Sequence, residues 1–153
     1  GTRVPMIVYW PGKTTTGTSN ALISQVDLYA SLAAVVEQSL ESDEAIDSKN
    51  VLPTLLDHQS NGSEFLLEES YTTSIRQGNW KYIEPFSKEK KLPNFMKSKG
   101  VEGGFEHFPQ LFNLENDIKE EINVAEKNPE VVKMLQAEID RIRLISKREV
   151  TPE

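Results

Sequence analysis

Hydrophobic residues fall on helical spacing in two stretches of the chain and on strand spacing in several others. The stronger helical stretch comes last: Val131, Leu135, Ile139, Ile142 and Ile145 recur at three- and four-residue steps, which puts them on one face. Ahead of them, Asn128-Pro129-Glu130 reads as a helix start, with the Asn side chain accepting an orphan N–H, Pro at the first helical position and an acid in the first turn. Five such side chains contribute roughly 10 kcal/mol of gross burial, most of it offset by chain entropy. The helix therefore needs a surface to lie on, and the strand-like Gln110-Leu111-Phe112-Asn113-Leu114 is expected to form part of it. Lys147 to Glu153 are expected to fray.

At the other end, Val4 to Trp10 is a continuous apolar run closed by the turn pair Pro11-Gly12. Apolar residues on both faces predict a strand buried on both sides, as in the middle of a covered sheet, although Pro5 belongs at a strand start or edge. After a polar loop from Lys13 to Asn20, Ser24 opens the second helical pattern (Leu28, Leu32, Val35, Val36). Asp27 stands three residues on as a shortened capping box, and Ile23 is placed to staple against Leu28. This helix should fade near Leu40, before the acidic Glu41 to Asn50.

Val51 to Leu56 reads as a turn or a helical turn, and Asp57 to Ser63 as a loop. Phe65 to Glu68 and Thr73 to Arg76 read as strands. Gln77-Gly78-Asn79 is the hairpin turn leading into Trp80-Lys81-Tyr82-Ile83, with Trp80 and Tyr82 on one face. Lys88 to Gly104 lacks periodicity and reads as a long exposed loop. The fold class is α+β: a small antiparallel sheet of about four strands, packed by a long C-terminal helix and preceded by an α/β-looking strand-helix piece. The expected division is 1–57 for that piece and 58–153 for the sheet and helix.

Composition narrows the function classes. At 153 residues the chain suits one domain or one and a fraction. A formal net charge of −7 argues against nucleic-acid or anionic-membrane partners, which demand a basic surface. The absence of cysteine removes disulfides, thiolate metal sites and Cys nucleophiles. No apolar run reaches the length of a membrane span, and the N-terminus lacks a signal-peptide pattern. The abrupt opening on Gly1-Thr2-Arg3 and an apolar segment suggests a piece of something longer.

Several short motifs carry a family resemblance. Gly1-Thr2-Arg3-Val4-Pro5, Trp10-Pro11-Gly12 and Val26-Asp27-Leu28 resemble the G-x-R-V-P, W-P-G and D-L run in the latter part of type I sulfatases of the arylsulfatase A class. Ile46-Asp47, Leu52-Pro53 and Leu55-Leu56 are similar to the segment that follows there, with Ser48 in place of the family's usual Gly. Ile75-Arg76-Gln77-Gly78-Asn79-Trp80-Lys81-Tyr82-Ile83 looks like the I-R-x-G-D/N-W-K-L/Y-I signature. Leu111 to Asp117, Glu120, Asn123-Val124-Ala125 and Asn128-Pro129-Glu130-Val131 resemble L-Y-D-L-x-x-D-P-x-E-x-x-N-L-A followed by H-P-E-V, with Ile118 where the family has proline. Each motif alone is weak, and their order and spacing over nearly the whole chain make the match strong.

The resemblance implies a hydrolase of sulfate esters, built from a large α/β domain and a smaller C-terminal domain, and located in the periplasm or secreted. It also implies a formylglycine made from the Cys or Ser of C/S-x-P-x-R, and a Ca²⁺ held by Asp and Asn; charge stabilisation of this kind is the physical core of such chemistry. None of the eight prolines has Ser or Cys two residues before it, so the nucleophile motif is absent. The chain is thus expected to be the C-terminal portion of a sulfatase, with no catalytic residue, metal ligand or cofactor of its own and no hydrolysis alone. Its expected partners are the missing N-terminal catalytic domain and, in the parent, a sulfated substrate such as a glycan.

Within that frame the substrate-contact candidates are His58, in a loop between helix and hairpin, and Arg76, since Arg pairs with sulfate. Arg3 reads as a structural arginine, Trp80 as core, and Lys88, Lys90, Lys91, Lys97 and Lys99 as a solvated basic loop. His58 and His107 lack a second ligand at useful spacing, so neither reads as a metal site. Asp117, Glu120 and Asn123 are expected to shape the turn before the helix, with Asn123 bonding to backbone. The competing reading is a non-catalytic carbohydrate-binding or interaction module, motivated by the basic loop and the hairpin aromatics. An orphaned Val4 to Trp10 strand would expose apolar surface and drive homodimers or aggregates.

Overall fold

The structure, a computed structural model, describes residues 4–41, 43–87, 94 and 104–149. Arg3, the lysines Lys88, Lys90, Lys91, Lys97 and Lys99, and the side chain of Ile145 lie outside the described residues. The chain forms two compact units, 1–64 and 65–153.

In the first unit, Val4 to Trp10 is not a strand, and every residue of it is exposed, Ile7 at 92%. The difference from the sequence expectation has a simple cause: strand backbone needs a neighbour for its N–H and C=O groups, and no strand among the described residues pairs with it. The turn after it forms as expected, with Lys13 N and Thr14 N both donating to Trp10 O at 3.0 Å.

Helix α1 spans Asp27–Val35, starting two residues later than the Ser24 cap implied. Ser24 donates its backbone N–H to Asp27 Oδ2 at 3.0 Å, the reach-back bond of the expected capping box, so the acid holds the turn leading into the helix. The helix stops well short of Leu40. Glu37 takes φ +56, Gln38 N donates to Ala33 O at 2.9 Å and Glu37 N to Ala34 O at 3.3 Å, the paired bonds of a Schellman closure.

The buried side of α1 is Asp27, Ala30 and Ser31, not its apolar stripe. Asp27 Oδ1 accepts Lys49 N at 3.0 Å, Ser48 Oγ accepts Ala30 N at 2.9 Å, and Ser31 Oγ accepts Val51 N at 2.9 Å. A polar seam therefore fixes α1 to the 48–51 segment. Helix α2, Leu52–Leu56, follows with Pro53 in its first turn.

The second unit is a four-stranded antiparallel sheet in sequence order: β1 Phe65–Glu69, β2 Thr73–Gln77, β3 Trp80–Ile83 and β4 Gln110–Asn113. Gly78 takes φ +55 in the β2–β3 turn, a backbone region that costs glycine little. Register puts Leu67, Ile75, Tyr82 and Leu111 in one row across the sheet. The alternate row, Leu66, Arg76, Lys81 and Phe112, lies on the opposite face.

Helix α3, Pro129–Glu149, covers the first face. Leu135 and Ile139 are fully buried against Ile75, Tyr82 and Leu111, with Val131 and Ile142 packed beside them, as the periodicity predicted. Asn128 starts the helix differently from expectation: its backbone carbonyl accepts Val131 and Val132 N–H at 3.2 Å, while its side-chain amide donates back to Val124 O at 2.9 Å. The helix also continues to Glu149, past the expected fraying point at Lys147.

Candidate functional site

The two side chains that the sequence singles out are held in different units. His58 follows α2, where the 15–17 and 56–58 segments meet. Thr15 N donates to Leu56 O at 2.8 Å, His58 N donates to Thr15 Oγ1 at 3.1 Å, and His58 Nδ1 lies 2.9 Å from the same hydroxyl. The ring lies against Gly17, where a Cβ would stand 2.5 Å from its Cδ2 and Cγ atoms. Asp57 Oδ1 is 3.9 Å from Nδ1. The imidazole, about a third exposed, is thus oriented by backbone and hydroxyl contacts while still reaching solvent.

Arg76 sits on β2, on the sheet face away from α3, directly opposite Leu66 on one side and Lys81 on the other. Its Nε donates to Gly78 O at 3.3 Å. Two cations facing each other across strands repel, and Lys81 is relieved by Glu120 at 2.9 Å. With Lys81 neutralised by Glu120, Arg76 carries the positive charge of this row in an acidic chain, suited to an anion. Trp80 is turned to the other face and packs against the core, as the strand alternation implied, so its ring is not a surface stacking platform.

The remaining candidates resolve as structural. His107 Nδ1 lies 2.8 Å from Phe86 O and its ring stacks on Phe86. Asp117 accepts Glu121 N at 3.0 Å and Ile122 N at 2.8 Å. Asn123 Oδ1 accepts Leu111 N and Ala125 N, each at 3.0 Å, and its Nδ2 donates to Pro109 O at 3.1 Å. Among the described residues no group of three or more His, Cys, Asp or Glu side chains converges as a metal site. The Ca²⁺ and formylglycine that the resemblance implies for a whole sulfatase therefore have no fitting donor set among the described residues.

Sequence reading missed a polar network beneath α3. Arg143 grips Glu84 with two hydrogen bonds and donates to Thr73 Oγ1 at 2.7 Å. Gln136 donates to Glu84 Oε1 at 2.8 Å and accepts the Tyr82 hydroxyl at 2.7 Å. Burial alone would raise the Glu84 pKa, but the hydrogen bonds from Arg143 and Gln136 outweigh it and hold the carboxyl below its ordinary value. Burial, reinforced by Glu84 and Asp140, pushes the Tyr82 phenol up to about 12. Gln136 and Arg143, two turns apart on one face of α3, carried the only advance signal. Beside this network an open cleft of about 660 Å³ is walled by Tyr82, Phe108, Pro109, Ala125 and Val132.

No family model matches the chain. It is similar to an N-acetylgalactosamine-6-O-sulfatase of Bacteroides thetaiotaomicron, 39% identical over 145 residues that make up 94% of this chain and 28% of the relative. Arylsulfatase G of Rattus norvegicus is 27% identical over 141 residues, 88% of this chain and 27% of that protein. Among solved structures, one from work on glycosaminoglycan metabolism by Bacteroides thetaiotaomicron superposes with a TM-score of 0.78 at 37% identity, over 88% of this chain and 28% of that one. The chain thus spans about 28% of the length of these relatives, in their C-terminal part.

Proposed function

The chain belongs to the sulfatases, whose C-terminal portion it matches, and from that premise we propose that it serves as scaffold and as one wall of the substrate cleft in a sulfuric ester hydrolase. The observation that carries the reading is the 39% identity over 94% of the chain, together with the four-stranded sheet and packing helix. The catalytic centre belongs to the N-terminal portion, and this segment hydrolyses nothing alone. His58 and Arg76 are the residues that would meet a sulfated substrate: the imidazole as an oriented hydrogen-bond donor, the guanidinium as a charge partner for sulfate.

The substrate class is a sulfated glycan. Two relatives, from Bacteroides thetaiotaomicron and Homo sapiens, are named for N-acetylgalactosamine 6-sulfate chemistry, which supports that class. An exported location suits such a substrate, and no helix among the described residues is long and apolar enough to cross a membrane.

The test is a chimera in which this chain replaces the matching part of the Bacteroides enzyme. Sulfate release from 6-sulfated N-acetylgalactosamine is expected, with His58→Ala or Arg76→Gln raising KM more than it lowers kcat, as loss of uniform binding predicts. A folded chimera without sulfatase activity would overturn the reading. Unchanged KM in both variants would remove the cleft-wall role and leave the scaffold.

A further inference from the structure

The open cleft beside the Tyr82 network lies wholly within the second unit, and its volume of about 660 Å³ falls in the range of small-molecule sites. Phe108, Pro109, Ala125, Pro129 and Val132 line it with apolar surface, and Phe108 remains 52% exposed. Two of these five are prolines, which bring no backbone donor.

The polar groups of the wall are of two kinds. Its phenol and amides are already bonded: the Tyr82 hydroxyl donates to Gln136 Oε1, Gln136 Nε2 donates to Glu84 and Asp140, and Asn123 spends its oxygen on Leu111 N and Ala125 N and its amide on Pro109 O. The ionic groups are not used in this way. Lys127, Lys133 and Glu126 also line the cleft, all three exposed, and neither lysine ammonium has a hydrogen bond or ion pair with a described residue. Two cations against one carboxylate give the cleft a positive excess, in a chain whose net charge is −7.

We propose that this cleft is a binding site for an aromatic anion, a flat apolar ring carrying a sulfate, sulfonate or carboxylate. The ring lies against Phe108, Pro109 and Val132, and the anionic group faces Lys127 and Lys133. A sugar suits this wall poorly, because each buried hydroxyl needs a partner and the phenol and amides are taken. A neutral apolar guest would leave both ammonium groups unused. His58 belongs to the other unit, and Arg76 stands on the sheet face away from α3, so occupancy here is independent of the substrate contacts proposed for them.

The probe is naphthalene-2-sulfonate, titrated into the chain by calorimetry, with backbone amide NMR shifts to locate it. A dissociation constant on the order of 1 mM or tighter is expected for a ligand of this size, with the largest shifts at residues 108, 125–127 and 132–133. Lys127→Gln and Lys133→Gln, both at exposed positions, should each weaken binding about two- to fivefold, whereas Lys119→Gln, outside the cleft, should not. Neutral 2-naphthol should bind more weakly than the sulfonate by a similar factor. Equal affinity for the neutral ring, or equal effects of Lys119→Gln and Lys133→Gln, would reduce the binding to nonspecific attraction and overturn the proposal. Shifts centred on α1 and abolished by Leu32→Glu would place the ring on the exposed apolar residues there and overturn it as well. So would tighter binding of N-acetylgalactosamine 6-sulfate than of the naphthalene probe at the same residues, which would make the cleft a sugar site.

Discussion

Arg143 closes on Glu84 across the packing interface of α3 and the sheet, Nη1 to Oε1 at 2.8 Å and Nη2 to Oε2 at 2.6 Å. The pair is asymmetric: the Glu84 side chain is 14% exposed and that of Arg143 44%. Removing the arginine strands a mostly buried carboxylate, whereas removing the carboxylate leaves a guanidinium that water can reach. Arg143→Ala is therefore expected to cost about 1–2 kcal/mol after allowance for the solvent screening at the guanidinium. Arg143→Lys should recover little of it, because a point charge cannot reproduce the two-pronged geometry. Urea denaturation of the three proteins at neutral pH checks the order.

The same carboxylate sets an acid limit. Its folded pKa lies below its unfolded value, so its contribution is fully present above the unfolded value, about 4.3 for a glutamate, and is lost as pH falls through the folded one. Stability should decline in that acidic window. In Glu84→Gln that part of the decline should disappear, while stability at pH 7 is already lower. Melting temperatures from pH 7 down to pH 3 for both proteins are the measurement. Parallel curves would show that Glu84 is not linked to folding.

At the other end of the scale stands Tyr82, 2% exposed, with its hydroxyl donated to Gln136. Its folded pKa, near 12, lies above its unfolded value of about 10. The fold thus favours the neutral phenol: the contribution is present below the unfolded value and is lost as pH rises from there through 12. Of the four tyrosines, one should ionise late in an ultraviolet titration, together with unfolding. In Tyr82→Phe that late step should vanish, at a cost of about 1 kcal/mol for the lost hydrogen bond.

Asn123 ties three backbone groups together, from Leu111, Ala125 and Pro109, and so locks β4 to the turn that launches α3. Asn123→Ala leaves those donors and the acceptor without their partner and is expected to cost about 2–3 kcal/mol. Asn123→Asp keeps the acceptor oxygen and loses the donated bond to Pro109, so it should cost less. Chemical denaturation of the two variants decides it, and equal losses would mean that the acceptor contacts contribute nothing.

The sheet and its packing helix were legible because their signals are local: alternation across β1 to β3, a Gly-Asn turn, and a helical stripe whose burial partner lies in the same chain. Val4 to Trp10 was misread as a buried strand, and α1, rightly read as a helix, leaves its apolar stripe exposed, for one shared reason. Hydrophobic periodicity says which face seeks cover and not whether this chain supplies the cover, so the same pattern that buries Leu135 leaves Leu32 in water. The Glu84–Arg143 contact joins residues 59 positions apart, and no spacing rule reaches that far. His58 carried no periodic signal at all. Its orientation depends on Thr15 and Gly17, on a loop more than forty residues earlier.

Glu37 ends α1 in the left-handed region at φ +56, where most closures of this kind use glycine. A side chain there brings its Cβ toward the following carbonyl, at a cost of roughly 1–2 kcal/mol, and the residue is exposed, so little packing offsets the strain. Glycine relieves the strain but widens the unfolded ensemble, which returns part of the gain. The balance favours Glu37→Gly by about 0.5–1 kcal/mol, with Glu37→Asn intermediate because asparagine tolerates this region better than glutamate does. The contrast with Glu37→Val is the sharpest check: a β-branched residue at the same φ should be less stable than wild type. If thermal melts placed valine at or above glycine, the left-handed closure of α1 would be wrong.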